Sequence, residues 1–288
     1  MSTLTIPLND GSKIPWLGFG TGTALYSKDA TKSVLAAISA GFVHLDGAQM
    51  YANEESLGDA IVQCGLPRSS LWVTTKLNTV PAGKDVRWTL EESLRKLKTD
   101  YVDLFLIHNP QQHPDIKATW KQMEELKKAG LARSIGVSNF TVKYLKQVFE
   151  VATIKPTVIQ NEYHPYIVKA SEAVKAFAQE HDIVYASYGA LSPIFRFPNG
   201  PVTPVIERAA KRLSDVRGKP VTPGQVLQVW LRQQGIIAIS TSNKVERLKE
   251  YLDVENIPEL TGEEMQAIKT EGAKEHHRVF MTWLENES

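Results

Sequence analysis

The chain alternates short apolar runs with longer stretches in which apolar residues recur every three or four positions. A short apolar run is typical of a strand buried on both faces of a parallel sheet. Apolar residues at helical spacing, such as Leu90, Leu94 and Leu97, indicate a helix with one buried face. The pattern predicts strands over residues 16–20, 43–46, 71–76, 102–108, 134–138, 158–162, 183–188 and 236–240.

Each predicted strand is followed by a predicted helix, and no Pro-, Gly- or Ser-rich linker separates two halves of the chain. This repeat predicts an α/β fold, a closed (β/α)8 TIM barrel that forms a single domain over residues 1–288. An open doubly wound sheet is the alternative, because it also alternates strands and helices. The predicted barrel helices span residues 30–40, 54–64, 86–97, 116–129, 141–151, 170–181, 223–234 and 245–252.

Three further segments add to the barrel. Apolar runs at residues 3–8 and 13–17, joined by Asn-Asp-Gly-Ser, predict an N-terminal β-hairpin. Residues 204–217 and 261–274 have helical patterns outside the strand–helix repeat, and they predict two extra helices.

Composition narrows the class of protein. The formal net charge of +1 argues against a nucleic-acid partner, because there is no basic excess to neutralise phosphates. No apolar run reaches the ~20 residues of a membrane span, and the first residues lack the features of a signal peptide. Cys64 is the only cysteine, so no disulfide can form within the chain. We therefore expect a cytoplasmic protein with no membrane partner.

In a TIM barrel the functional residues lie at the carboxyl ends of the strands. Here each predicted strand ends in polar or glycine residues, although strand-to-loop junctions are often polar in any barrel. These end residues are Gly20, Thr21, Gly22, Asp46, Lys76, His108, Ser138, Asn139, Gln160, Tyr188, Ser240, Thr241 and Ser242.

Four residues from neighbouring strand ends form a set that suits acid catalysis. Tyr51 follows Asp46 by five residues, and a phenol with a usual pKa near 10 is a poor acid at neutral pH. Lys76 beside it would favour the phenolate, and Asp46 would hold the lysine charged. His108 could donate a hydrogen bond to a carbonyl oxygen. Taken singly, Lys76 and Asp46 could equally be a structural ion pair, and His108 a core histidine.

Several motifs occur along the chain in a specific order and spacing. They are Gly-Phe-Gly-Thr-Gly at 18–22, Gly-Phe-Val-His-Leu-Asp at 41–46 with Tyr51 and Asn53-Glu54, Thr-Lys-Leu at 75–77, Asp-Tyr-Val-Asp-Leu-Phe-Leu-Ile-His at 100–108, Gly-Val-Ser-Asn-Phe at 136–140, Gln-Asn-Glu-Tyr-His-Pro at 160–165 and Thr-Pro-Gly-Gln-Val at 222–226. In this order and spacing the chain resembles the aldo-keto reductase superfamily over essentially its whole length.

The resemblance implies metal-free, NADPH-dependent reduction of a small-molecule carbonyl by a cytosolic monomer. It makes Tyr51 the general acid, Lys76 and Asp46 the residues that tune it, and His108 the residue that orients the carbonyl. It also implies cofactor contacts from Gly20, Thr21, Gly22, Asp46, Ser138, Asn139, Gln160, Tyr188, Gly189, Ala190, Leu191 and Ser192. The glycines at 20 and 22 are not a Rossmann fingerprint, since the third glycine is missing.

The segment after the eighth strand departs from the pattern of the superfamily. Where a lysine is usual beside the adenosine 2′-phosphate, this chain has Thr241, but Arg247 is retained and Lys244 lies one turn before it. Two cations at a helix N-terminus suit a phosphate. We therefore expect NADPH rather than NADH, bound by Ser240, Thr241, Ser242, Asn243, Lys244 and Arg247. Outside this superfamily, two solvated cations on a surface helix would be the simpler interpretation.

The expected substrate pocket also departs from the common pattern. The loop after His108 is short, Asn109 replaces an aromatic or apolar residue, and Asn78 stands where tryptophan is frequent. These features predict an open, polar pocket and resemble the fungal branch that reduces ketopantoyl lactone, conjugated polyketones and α-keto amides. Tyr26, Tyr51, Asn78, His108 and Asn109 are the predicted substrate-binding residues.

Several assignments in the tail and two other functions stay open. Phe280 and Trp283 could line the pocket or pack the tail onto the barrel. Adjacent histidines on a helix point apart, so we do not expect His276 and His277 to bind a metal. A non-catalytic NADPH-binding regulatory subunit on the same barrel is the main alternative function. A lyase that uses Lys76 as a Schiff-base nucleophile is a second.

Overall fold

The computed structural model of the protein describes residues 4–286. Its centre is a closed barrel of parallel strands in chain order, in which the last strand pairs with the first through Ala238 and Leu17. After the hairpin strands β1 (Thr5–Pro7) and β2 (Lys13–Pro15), the barrel strands are β3 (Leu17–Gly20), β4 (His44–Asp46), β5 (Trp72–Leu77), β6 (Val102–Ile107), β7 (Ala132–Ser138), β8 (Val158–Glu162), β9 (Val184–Tyr188) and β10 (Ile237–Ser240).

A helix follows each barrel strand and buries its apolar face against the barrel. The two extra helices, α8 (Thr203–Arg217) and α11 (Gly262–Gly272), are predicted by the sequence, whereas the short helix α7 (Ser192–Phe195) is not. The helices are α1 (Thr31–Ala40), α2 (Glu54–Gln63), α3 (Val86–Leu97), α4 (Ile116–Lys128), α5 (Val142–Phe149), α6 (Val168–Glu180), α7 (Ser192–Phe195), α8 (Thr203–Arg217), α9 (Pro223–Arg232), α10 (Val245–Leu252) and α11 (Gly262–Gly272).

The N-terminal hairpin covers the amino-terminal end of the barrel. Leu8 and Ile14 pack into the barrel interior with strand residues such as Leu104 and Leu106. Asp10 accepts hydrogen bonds from Lys127 at 2.7 Å and from Ser134 at 2.8 Å. The hairpin therefore blocks this end, and the carboxyl end is left for a ligand.

The predicted (β/α)8 barrel with an N-terminal hairpin and two extra helices is confirmed. Strand β7 begins two residues before its predicted start, because Arg133 interrupts the apolar pattern. The guanidinium of Arg133 lies outside the barrel, where it donates a hydrogen bond to Asp103 at 3.2 Å and stacks over the ring of Tyr101. The single domain over residues 1–288 stays a prediction, and residues 1–3 and 287–288 lie outside the described part. None of the helices within residues 4–286 is long and apolar enough to cross a membrane.

Candidate active site

The barrel brings the four expected catalytic residues together at its carboxyl end. Asp46 is the last residue of β4, Lys76 lies near the end of β5, and His108 directly follows β6. Tyr51 ends a single 3-10 turn, Gln49–Tyr51, in the loop after β4. This turn brings the phenol back over the strand ends, where its ring packs edge-on against the His108 ring with centroids 5.5 Å apart.

Lys76 is the centre of a buried network of charges. Its ammonium donates to Asp46 Oδ1 at 2.5 Å, to the carbonyl of Gly47 at 2.9 Å and to Tyr51 Oη at 3.4 Å. Burial disfavours the charge, but the attraction of Asp46 and Tyr51 outweighs it and raises the pKa of Lys76. The raised pKa favours a charged Lys76 beside the phenol at neutral pH.

The environments of Tyr51 and His108 set their protonation states. Burial raises the pKa of the Tyr51 phenol, while the nearby Lys76 acts in the opposite direction. Burial, with a smaller contribution from Lys76, lowers the pKa of His108 to about 3. Near neutral pH the site thus holds a protonated phenol and an uncharged imidazole, both of which can donate a hydrogen bond.

Polar side chains from the next strands form one wall of the site. Asn139, in a left-handed conformation with φ 61°, donates to the carbonyl of His108 at 2.8 Å and to Ser138 Oγ at 3.1 Å. The hydroxyl of Tyr188 donates to Asn139 Oδ1 at 2.5 Å. Gln160 donates to Asp46 Oδ2 at 2.8 Å, which connects this wall to the charged network.

These residues border a cavity of about 740 Å³, within the roughly 300–1,000 Å³ usual for ligand pockets. A glycine at position 22 leaves room for the phenol of Tyr51, because a Cβ there would lie 2.7 Å from Cζ of Tyr51. Expected site residues that line it are Gly20, Gly22, Tyr26, Asp46, Tyr51, His108, Ser138, Asn139, Gln160, Tyr188, Gly189, Ala190, Leu191, Ser192, Ser240, Thr241 and Arg247.

Several expected site residues do not belong to the described lining of this cavity. Asn109 faces its own turn, where its Oδ1 accepts from the backbone of Gln111 at 3.0 Å. Asn78 donates its backbone N–H to Gln49 at 2.8 Å. Their roles in substrate binding stay predictions. The cofactor contacts of Thr21, Ser242, Asn243 and Lys244 also stay predictions, because these residues are not among the described lining. Lys76 does not line the cavity either, but it contacts Tyr51 and Asp46, which do.

The cavity has walls that the sequence did not reveal. Phe195 and Arg196 line it from α7 and the loop after it, and Met281 lines it from the C-terminal segment, residues 273–286. The sequence left open whether Phe280 and Trp283 line the pocket or pack the tail onto the barrel. Phe280 lines the cavity, and its ring packs edge-on against that of Tyr188 with centroids 5.6 Å apart. Trp283 instead packs against Tyr144 at 6.4 Å. The exposure of large apolar residues such as Phe195 is visible only in the folded chain.

Glu162 attaches the C-terminal segment to the barrel. Its buried carboxylate accepts from the backbone N–H groups of Val279 and Phe280, both at 2.9 Å, and lies 3.1 Å from His164 Nε2. The neighbouring His276 and His277 contact Glu285 and Glu275, each at 2.8 Å. No group of side chains in residues 4–286 has the composition of a metal site.

We expect Glu162→Gln to loosen the C-terminal segment. A glutamine oxygen can accept from only one of the two backbone N–H groups, and its own NH2 would face the other. The loss of a hydrogen bond to a charged acceptor costs roughly 1.5–3 kcal/mol, so tryptic cleavage after Arg278 should be about tenfold faster or more. Glu275→Gln on the same segment is the control. Equal cleavage rates in the two variants would contradict this role of Glu162.

The fold and the strand-end residues together define an oxidoreductase of the aldo/keto reductase type. The aldo/keto reductase family model matches residues 16–271, so the chain belongs to this family. It is 36% identical over 286 residues to the NAD/NADP-dependent indole-3-acetaldehyde reductase of Schizosaccharomyces pombe, a match that covers 96% of this chain and 98% of that protein.

Two further relatives agree with this assignment. The NADPH-dependent alpha-keto amide reductase of Saccharomyces cerevisiae is 31% identical over 293 residues, covering 96% of this chain and 93% of the relative. The crystal structure of an aldo/keto reductase from Brucella melitensis superposes with a TM-score of 0.79 at 32% identity, covering 93% of this chain and 98% of that one.

Proposed function

We propose that the protein reduces carbonyl compounds to alcohols with NADPH, and that Tyr51 is the general acid. The observation that carries the proposal is the contact of the Tyr51 hydroxyl with the Lys76 ammonium at 3.4 Å, on the wall of the large cavity. A neighbouring cation stabilises the phenolate that remains after the proton has moved to the carbonyl oxygen.

The other residues of the site support this proton transfer. Asp46 and the Gly47 carbonyl hold the lysine on the phenol side of the barrel end. The uncharged imidazole of His108 can donate a hydrogen bond to the carbonyl oxygen and orient it towards Tyr51. A neutral donor suits this task, because it does not compete with the phenol in giving up a proton.

The residues of the polar wall fit a nicotinamide cofactor, which supplies the hydride when bound. Ser138, Asn139 and Gln160 offer amide and hydroxyl groups to a carboxamide, and Tyr188 offers a ring for stacking. The absence of a side chain at Gly22 leaves space beside the phenol where a Cβ would otherwise intrude.

We further propose activated carbonyls as substrates, namely α-keto esters and lactones, vicinal or conjugated dicarbonyls, and aldehydes. The lining of the cavity combines Tyr26, Phe195, Phe280 and Met281 with the cation of Arg196. Such a lining accepts apolar and oxygen-rich groups together. The names of the two fungal relatives, which specify an aldehyde and an α-keto amide, agree with this range.

The test is NADPH oxidation with a panel of ketopantoyl lactone, isatin, diacetyl and a simple aldehyde. Turnover with the activated ketones supports the proposal. Binding of NADPH without turnover of any member would favour a non-catalytic regulatory subunit. Borohydride trapping of a substrate on Lys76 would favour the lyase. We also propose that the protein acts as a cytoplasmic monomer, which sedimentation velocity and cell fractionation would test.

We expect Arg247→Ala to weaken NADPH binding at least tenfold and to change NADH binding less than twofold. The guanidinium lines the cavity and lies 5.0 Å over the exposed ring of Phe195, and a charge-assisted contact to a phosphate contributes roughly 1.5–3 kcal/mol. Fluorescence titration with both nucleotides would measure this. Lys244→Ala should act in the same direction but more weakly, because Lys244 is not among the described lining residues. Equal weakening of both nucleotides would show that Arg247 does not read the 2′-phosphate.

A further inference from the structure

The turn that carries Tyr51 is too short to fix the phenol by itself. It is a single 3-10 turn, closed by the bond from Tyr51 N to the carbonyl of Ala48 at 3.0 Å and the bond from Ala52 N to the carbonyl of Gln49 at 3.3 Å. Short 3-10 segments have poor hydrogen-bond geometry and follow their surroundings. The position of the phenol must therefore depend on contacts that the turn makes with other elements.

The first residue of the turn makes such contacts through its side chain. The amide nitrogen of Gln49 donates to the carbonyl of Thr89 at 3.1 Å and to Ser93 Oγ at 3.0 Å, both on α3. Its oxygen accepts from the backbone N–H of Asn78 at 2.8 Å. One half-buried side chain thus joins the turn to two separate elements.

The groups that Gln49 contacts are connected to the residues on either side of Lys76 in the sequence. Asn78 lies two residues after Lys76, at the end of β5. On the other side, Ser93 donates to the buried carboxylate of Glu54 at 3.3 Å, and Thr75, next to Lys76, donates to the same carboxylate at 2.7 Å. The turn and the end of β5 are therefore connected by hydrogen bonds that do not involve the Tyr51–Lys76 contact.

We infer that Gln49 is a positioning residue that holds the Tyr51 hydroxyl at its distance from Lys76. The inference rests on the proposed role of Tyr51 as the general acid. The contact between Tyr51 Oη and Lys76 Nζ is long at 3.4 Å, so a small rotation of the turn would break it. Gln49 touches neither atom and acts only through the placement of the turn.

The test is Gln49→Met, which keeps the length of the side chain and removes all three hydrogen bonds. We expect kcat to fall roughly 10- to 100-fold, since a misplacement of about 1 Å can cost about 10²-fold. KM for the carbonyl and the Kd for NADPH should stay within about twofold. Gln49→Asn, whose amide is one methylene too short to reach α3 and Asn78 together, should show the same split between kcat and KM with less risk to folding.

Gln122→Met is the matched control. Gln122 is also half-buried, and its side-chain oxygen accepts from the backbone N–H of Val86, the first residue of α3, at 3.0 Å. This hydrogen bond does not involve the Tyr51 turn. If the Gln49 variants lose no more kcat than Gln122→Met at equal thermal midpoints, the inference is wrong. If Tyr51→Phe itself retains full turnover, the proposed acid fails instead, and the two failures are thereby distinguished.

Discussion

Tyr51→Phe is expected to lower kcat for carbonyl reduction by roughly 10²- to 10⁴-fold, the usual contribution of a general acid. The substitution removes one oxygen and keeps the ring, which packs against His108 and Tyr26 at 5.5 and 6.3 Å. The cavity and its polar wall should therefore persist, and the Kd for NADPH should change less than about twofold. Stopped-flow reduction and nucleotide titration would measure the two effects separately.

The pH profile of the unaltered protein is a second test of Tyr51 as the general acid. A general acid works when protonated, so the rate is maintained below the pKa of Tyr51 and falls above it, and burial raises that pKa. The pKa of His108 is lowered to about 3, so the imidazole does not change its charge near neutral pH. We expect kcat/KM to be flat through pH 6.5 and to decline only in alkali. Full turnover by Tyr51→Phe would show that another group donates the proton.

The grouping of the four expected catalytic residues was predictable from the sequence because each lies at or near the end of an apolar strand or in the loop after it. Asp46, Lys76 and His108 lie at, near or directly after the ends of consecutive strands, and parallel strands in a barrel bring their carboxyl ends to one rim. Tyr51 was predictable once a loop of five residues was seen to return to the same rim. Strand periodicity and the topology of the barrel are enough for this part of the site.

The support around the catalytic set was not predictable in the same way. Gln49 bonds to Asn78 in the loop after β5 and to Thr89 and Ser93 on α3, and Glu162 accepts from backbone groups more than 100 positions away along the chain. Glu162 belongs to the motif at 160–165 and ends β8, but neither its type nor that of Gln49 indicates which groups it bonds to. Only the folded chain shows which partners are within reach.

The placement of Asn78 likewise depends on contacts that the sequence does not show. Asn78 is expected to bind substrate because it stands where tryptophan is frequent in the superfamily, and among the described residues it does not line the cavity. The loop after β5 turns at this point, and the Asn78 backbone N–H bonds to Gln49. The direction of a side chain just beyond a strand depends on this turn, and strand periodicity no longer constrains it.

Lys76→Met is expected to lower kcat at least 100-fold and to destabilise the fold by about 3–5 kcal/mol. The first effect arises because the phenol of Tyr51 loses the cation that lowers its pKa, so it becomes a weaker acid. The second arises because the carboxylate of Asp46 stays buried without its ammonium partner. Kinetics and urea unfolding would measure the two effects.

The double variant Asp46→Asn/Lys76→Met should separate these two effects. It removes both charges, and the oxygen of the new amide can still accept from Gln160, which donates to Asp46 at 2.8 Å in the unaltered protein. Replacing a buried ion pair by neutral groups is often close to neutral for stability, so most of the lost stability should return. The activity should not return, because the phenol still lacks its cation. Recovery of turnover together with stability would show that Lys76 serves the fold alone and would remove it from the catalytic set.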